Sequence, residues 1–290
     1  MNRRQFLRVC GLGALASVVA GTYAVAIEPL YRLRVVRRGF TPPRWTPGLR
    51  LRVAVLADIH ACEPWMNTAR IERIVAQTNA LKPDIVLLLG DYLSGMTLVT
   101  RHIDPAEWAG ALGGLEAPLG RYAVLGNHDW WEDAAVQARG SGPTSAGLAL
   151  EAAGIPVMEN GALRLEKDGH PFWVAGLGDQ LAFYRRGVDD LPGTLAQITD
   201  DAPALLMAHE PDIFPQVPDR VSLTLSGHTH GGQVRLFGYA PVVPSRYGNR
   251  YAYGHVVEEG RHLMVSGGLG CSVAPIRFGS PPEIVLLDLG

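Results

Sequence analysis

Hydrophobic and polar positions repeat with two periods along the chain. Residues 51–57 alternate and are β-branched in part, which predicts a strand. Residues 68–81 carry Ile71, Ile74, Val75 and Thr78 at helical spacing and stop before Pro83, which predicts an amphipathic helix. Residues 84–89 form an apolar run, as in a strand buried on both faces. Helices are expected at 105–115 and 145–153, with a third strand at 121–125. This βαβαβα order implies parallel strands joined by right-handed crossovers. The pattern then shortens. Strands are expected at 156–158, 162–166, 172–175, 204–207, 221–225, 233–236, 262–265 and 283–287, with a tight turn at Asp168-Gly169 and a helix at 191–198. Two stacked sheets with helices outside, in one domain, account for this order.

The front of the chain follows neither period. Asn2-Arg3-Arg4-Gln5-Phe6-Leu7-Arg8 precedes an uncharged run, residues 9–27. As a helix that run spans about 28 Å, close to the hydrocarbon thickness of a bilayer. The paired arginines look like a twin-arginine export signal, and Ala24-Val25-Ala26 offers a cleavage site. Residues 1–27 therefore read as a twin-arginine signal or a retained membrane anchor, with the length of the run favouring the anchor. Residues 28–50, proline-rich from 40 to 48, read as an arm or linker, and 51–290 as the main domain. Arg32, Arg34, Arg37 and Arg38 after the span would keep the domain in the cytoplasm by the positive-inside rule. A twin-arginine signal overrides that rule because a translocase reads it. The expected location is the outer side of the cytoplasmic membrane, with the inner-leaflet face as the alternative.

Composition removes several classes. At 290 residues and 47% apolar the chain can bury a large core. The formal net charge of −2 gives no bulk attraction to nucleic acid, so no such partner is expected. Cys10, Cys62 and Cys271 are scattered and form neither a disulfide framework nor a thiolate zinc site. Cys62 reads as a packed thiol. His102, His170, His255 and His262 follow no ligand spacing.

Candidate chemistry sits where strands are expected to end. The strand at 51–57 ends in Asp58-Ile59-His60, that at 84–89 in Gly90-Asp91, and that at 121–125 in Gly126-Asn127-His128-Asp129. Residues 204–208 lead to His209, and 221–225 to Gly227-His228-Thr229-His230-Gly231-Gly232-Gln233. Each segment alone has an ordinary reading as a cap or turn. Together they can converge, because open α/β sheets bind ligands outside the carboxyl ends of their strands. Asp58, His60, Asp91, Asn127, His209, His228 and His230 are too many ligands for one zinc, and suit two ions sharing a carboxylate. Mixed nitrogen and oxygen donors suit Mn, Fe, Zn or Co better than Ca or Mg. Two such ions, about 3.5–4 Å apart, form the clamp that hydrolases use for in-line displacement at phosphorus.

The ordered series Asp-x-His, Gly-Asp, Gly-Asn-His-Asp, His and Gly-His-x-His resembles the calcineurin-like metallophosphoesterases over about residues 52–230. Gly231-Gly232-Gln233-Val234, Gly268-Leu269-Gly270, Pro275-Ile276-Arg277-Phe278 and Pro281-Pro282-Glu283-Ile284, with the N-terminal segment, are similar to the YkuE/YaeI-like branch of exported or membrane-anchored phosphoesterases. The resemblance implies an α/β fold, a four-layer αββα sandwich of two mixed sheets flanked by helices. It implies one ion held by Asp58, His60, Asp91 and His230, a second held by Asp91, Asn127, His209 and His228, and a bridging hydroxide that attacks phosphorus. It further implies that His128 acts on the phosphoryl group or its leaving oxygen, with Asp129 orienting His128. The expected activity is hydrolysis of a phosphodiester or pyrophosphate, on a phosphorylated small molecule or lipid-linked substrate. The alternatives are a lipid A-precursor UDP-diacylglucosamine pyrophosphatase and a silent interaction module of the same fold. Trp130 and Trp131 either line the pocket or pack, and Arg277 either contacts phosphate or makes a structural salt bridge.

Overall fold

The computed structural model describes residues 1–184 and 186–290. Two mixed sheets form its centre. The strands in chain order are β1 Arg34–Phe40, β2 Leu51–Leu56, β3 Cys62–Glu63, β4 Ile85–Leu88, β5 Arg101–His102, β6 Arg121–Ala123, β7 Gly161–Lys167, β8 His170–Gly176, β9 Ala204–Met207, β10 Leu223–Ser226, β11 Gly254–Glu258, β12 Arg261–Val265 and β13 Glu283–Leu289. One sheet runs β1-β13-β2-β4-β6 and the other β11-β12-β10-β9-β8-β7. The helices are α1 Arg3–Thr22, α2 Glu28–Tyr31, α3 Thr68–Ala80, α4 Pro105–Leu112, α5 Asn127–Trp131, α6 Ala134–Arg139, α7 Ser145–Ala152 and α8 Leu191–Ala196.

The period-two pattern decides which side chains meet. Val53, Val55, Ile85, Leu87 and Leu287 point from the first sheet onto Phe172, Val174, Leu205, Met207 and Leu225 of the second. Their alternates Ala54, Leu56, Val86, Leu88 and Leu286 face outward and bury Ile71 and Ile74 of α3, Trp108 of α4 and Leu150 of α7. On the far side of the second sheet, Leu206, Leu263 and Val265 pack against Leu191 of α8 and the 3₁₀ turn Pro211–Gln216. The result is the four-layer αββα order.

Three local expectations change. Residues 28–50 are more than an arm: β1 pairs in parallel with β13 along its whole length, Arg34 meets Glu283 at 2.7 Å, and Glu28 is buried. The sequence hides this strand because three arginines interrupt its apolar positions and its partner lies near the other end of the chain. Residues 156–158 and 233–236 make only isolated bridges, Val157 to Ala123 and Val234 to Phe278. Residues 254–258, unread in the sequence, form β11 as an antiparallel edge strand on β12.

Candidate metal centre

Strands β2, β4 and β6 run parallel, as do β8, β9, β10 and β12. Their carboxyl ends therefore lie along one edge of the sandwich. Beyond them come Asp58 and His60, Asp91, Asn127 at the start of α5, His209, and His228 with His230. All seven are buried except His228, which is half-buried.

The donors fall into two groups that share a residue. Ligand atoms of Asp58, His60, Asp91 and His230 lie within 4.8 Å of one another, and so do those of Asp91, His209 and His228. Asp91 Oδ2 sits 3.4 Å from His60 Nε2 and 3.3 Å from His209 Nε2. Asn127 Oδ1 joins the second group, 2.8 Å from His228 Nδ1. The structure thus brings together every residue that the spacing nominated as a ligand.

The backbone shows what this convergence costs. Asp58, His60, Asp91, His228 and His230 all adopt positive φ, between 47° and 67°. Each such residue costs of order 1–3 kcal/mol and persists only where surrounding contacts enforce it. Those contacts run between segments: Asp58 N–H donates to Gly90 O, His60 N–H to Asp91 O, and His228 N–H to Asp58 Oδ1 at 2.8 Å. Gly126 is required because a Cβ there would lie 2.6 Å from His209 Cε1 and 2.7 Å from Asp91 N.

Ring orientation follows from the outer nitrogens. His60 Nδ1 donates to Leu93 O at 2.9 Å and His209 Nδ1 to Leu89 O at 2.6 Å, which turns each Nε2 inward. Burial pushes His60 down to about 3 and also lowers His228 and His230, with the Arg277 guanidinium adding to the effect at His230. These rings present lone pairs rather than protons. Burial pushes Asp58 up to about 7 against the pull of His209. Burial acts in the same sense on Asp91, but His209, His128 and His60 outweigh it and hold that carboxyl well below its usual range. Burial would lower His209, but Asp91 holds it well above. A cation between them would take over the charge that His209 supplies to Asp91.

The donor set fits divalent cations. Asp58 Oδ2 and His209 Nε2 have no hydrogen-bond partner among the described residues, and His60 Nε2 faces His230 Nε2 at 3.0 Å. A buried polar atom left unpaired costs about 1–3 kcal/mol, a cost that coordination removes. Nitrogen and oxygen donors in this mixture match transition ions.

Two expected roles change. Among the described residues the Asp129 carboxylate makes no hydrogen bond to the His128 ring. Its carboxylate accepts from the N–H groups of Asp91, Tyr92, Leu93 and Gly126 at 2.8–3.0 Å, and so ties the Asp91 loop to the start of α5. Burial and Asp91 push it up to about 7 against those amides. The partner of His128 is Glu132, with Nδ1 3.1 Å from Oε1 one helical turn on. The i,i+4 spacing on a short helix was the available signal. Burial alone would lower His128, yet Asp91 and Glu132 outweigh it and raise the ring above its ordinary value. Among the described residues Arg277 makes no carboxylate pair, and its Nη2 lies 3.3 Å from His230 Nδ1. Fully buried, it donates to the carbonyls of Gly267, Gly270 and Ser280. Trp130 packs in the core, whereas Trp131 lines the cavity beside the centre. That cavity, about 870 Å³, is bounded by Asp91, Asn127, His128, His228 and His230 on one side and by Gln180 and Glu210, which the motifs did not nominate, on another.

A buried carboxylate–imidazole cluster at the carboxyl edge of an αββα sandwich defines a metallophosphoesterase. The model of the calcineurin-like phosphoesterase family matches residues 51–232, and the chain belongs to that family. It is 30% identical over 299 residues to the metallophosphoesterase YkuE of Bacillus subtilis (strain 168), covering 100% of this chain and 98% of that protein. It is equally 30% identical to the phosphodiesterase YaeI of Escherichia coli (strain K12), over 100% of this chain and 99% of that one. A Danio rerio protein named as a transmembrane protein with a metallophosphoesterase domain is 31% identical over 82% of this chain and 53% of its own. The chain is accordingly a metal-binding phosphoric ester hydrolase.

Proposed function

We propose that the chain hydrolyses a phosphodiester or diphosphate with two divalent ions, Mn, Fe, Zn or Co, held in the two donor groups. The observation that carries this is Asp91 Oδ2 lying between both groups, with unpaired donors on either side. Asp58, His60, Asp91 and His230 would hold one ion, and Asp91, Asn127, His209 and His228 the other. Bound divalent ions supply a water nucleophile at neutral pH and neutralise charge on phosphoryl oxygens. The chain's own residues do the rest. His128 reaches the same space, its ring 4.9 Å from that of His60 and only 15% exposed. Asp91 and Glu132 favour its protonated form, so it donates a proton to the leaving oxygen. Glu132 orients the ring by accepting from Nδ1, and Nε2, 3.3 Å from Ser272 Oγ, faces the cavity. Trp131 and the apolar walls of the cavity flank the space in which the substrate would sit. Asp129 holds the loop that carries Asp91.

The test is hydrolysis of bis-p-nitrophenyl phosphate by the full chain in detergent, with each metal added in turn and then chelator. Chelator-sensitive turnover at two bound equivalents is expected. No turnover with any of the four metals would sink the reading.

We also propose that α1 remains attached as a membrane anchor, with the domain exported. Arg3–Tyr31 is long and apolar enough to cross a membrane. The Ala24-Val25-Ala26 site is half-buried: Arg277 N–H donates to Ala24 O at 2.9 Å, and the Tyr23 ring meets Phe278 edge-on at 5.8 Å. A signal peptidase requires those residues free. A reporter active only after export should report with the parent and fall silent with Arg3→Lys/Arg4→Lys. A parent retained in the cytoplasm would support the inner face instead.

A further inference from the structure

We infer that two loops at the mouth of the cavity form an apolar rim seated in the interfacial layer of the membrane that α1 enters, so that the centre opens onto lipid headgroups and takes amphiphilic phosphoesters; the inference rests on the readings of the centre and of α1 given above.

Phe237 is the first observation. It is fully exposed, at 109% of its reference area, and its φ is 52°. With Gly238 at φ 87° it forms the tip of a two-residue turn, closed by Leu236 N–H to Tyr239 O at 2.8 Å and Tyr239 N–H to Leu236 O at 3.0 Å. A left-handed conformation is unfavourable for a bulky residue, and full exposure forgoes the burial its ring could gain. In water the exposed ring gains nothing that offsets the backbone cost, whereas burial of the ring in an apolar layer would offset it.

The second observation is company. Leu236, Tyr239 and Val242 on the same loop, and Val273 on a neighbouring one, are also exposed. Val242 and Val273 line the same cavity, with Trp131, Val234, Pro241 and Ile276 continuing the apolar wall inward toward the centre. Isolated exposed hydrophobics need no explanation, but a contiguous rim of them marks an interaction site.

The third observation is the link to α1. Val234 bridges to Phe278, Arg235 N–H donates to Phe278 O at 2.7 Å, Phe278 packs on Tyr23, and Arg277 N–H binds Ala24 O. Glu28 accepts from the N–H groups of Gly279 and Ser280. The rim and the foot of the helix are therefore one structural unit.

Length then selects the occupant. Of the uncharged run, residues 23–26 are half-buried and Tyr23 and Ala24 contact the domain, whereas the fourteen residues 9–22 are all exposed. These span about 21 Å, against a hydrocarbon core of about 30 Å. The shortfall of about 9 Å closes if the domain surface around the helix foot enters the bilayer. The rim lies on that surface.

The test uses the full chain in vesicles of phosphatidylcholine and phosphatidylglycerol, with Cys10→Ser removing the exposed native thiol. A nitroxide is placed at Phe237→Cys and, as a control, at Lys82→Cys, which lies before β4 at the opposite end of the strands. Power saturation should show the 237 label accessible to oxygen and shielded from a water-soluble nickel chelate, with the 82 label showing the reverse. Equal chelate access at both positions would overturn the inference, and would leave a protein partner as the occupant of the rim. In the second arm, Phe237→Asn, suited to positive φ, should raise KM about tenfold for a diacylglycerol p-nitrophenyl phosphodiester in vesicles. Its kcat/KM for soluble bis-p-nitrophenyl phosphate should stay within about twofold of the parent, since Phe237 touches no part of the centre. An unchanged KM on vesicles would also overturn the inference. A parent inert toward the soluble diester would count against the hydrolase reading, while the label depths would still decide the seating of the rim.

Discussion

The two sheets bring different chemistry to the same edge. The five-stranded sheet supplies all the oxygen donors, Asp58, Asp91 and Asn127, with one imidazole, His60. The six-stranded sheet supplies imidazoles only, His209, His228 and His230. Neither half is oriented by its own sheet alone. His209 from the second sheet is turned by Leu89 O of the first, and the His228 backbone is held by the Asp58 carboxylate. Asp91 from the first sheet takes its charge state mainly from His209 of the second. Sheet packing and site assembly are therefore one event, so metal binding should stabilise the sandwich as a whole.

Four substitutions can break or sharpen that contrast. The largest effect is expected from Asp91→Ala, which removes the donor common to both groups. Turnover should fall about a thousandfold or more and metal content should drop for both ions. Retention of one full equivalent by mass spectrometry would show that the second sheet holds its ion independently.

Asp129→Ala comes next and acts on stability rather than chemistry. It leaves four buried N–H groups without their acceptor, so unfolding in urea should show a loss of about 3 kcal/mol. A stable variant with unchanged turnover would mean that the Asp91 loop holds its shape without that carboxylate.

His128→Ala should lower kcat about a hundredfold with both ions retained, as for loss of a general acid. Unchanged turnover at full metal content would remove His128 from the chemistry.

Glu132→Gln is the mildest. Glu132 helps raise His128, so the protonated ring persists to higher pH in the parent. Removing that charge should move the alkaline limb of the pH–rate profile to lower pH, with a loss of about threefold or less at neutral pH. An unmoved limb would mean that Asp91 alone sets the proton on His128.

How much was legible depended on the range of the cause. Alternation in 51–57 and helical spacing in 68–81 act between near neighbours, and the corresponding β2 and α3 formed close to those bounds. Strand β1 was missed because its reason is remote: Val35 and Val36 register with Ile284 and Val285. The role of Arg277 was missed for the same cause, since nothing local says that a guanidinium will be spent on three backbone carbonyls. Glu132 was visible as spacing but had no motif to single it out.

By itself, then, the sequence determined the donor types and their placement after strands, because side-chain chemistry and local periodicity are properties of short segments. It determined the uncharged span as well. Tertiary structure alone decided that Asp91 lies between two groups, that Asp129 serves amides and not His128, and that the foot of α1 is joined to the mouth of the cavity. Those outcomes rest on contacts between residues far apart in the chain, and such contacts exist only once two sheets have packed and fixed their relative position.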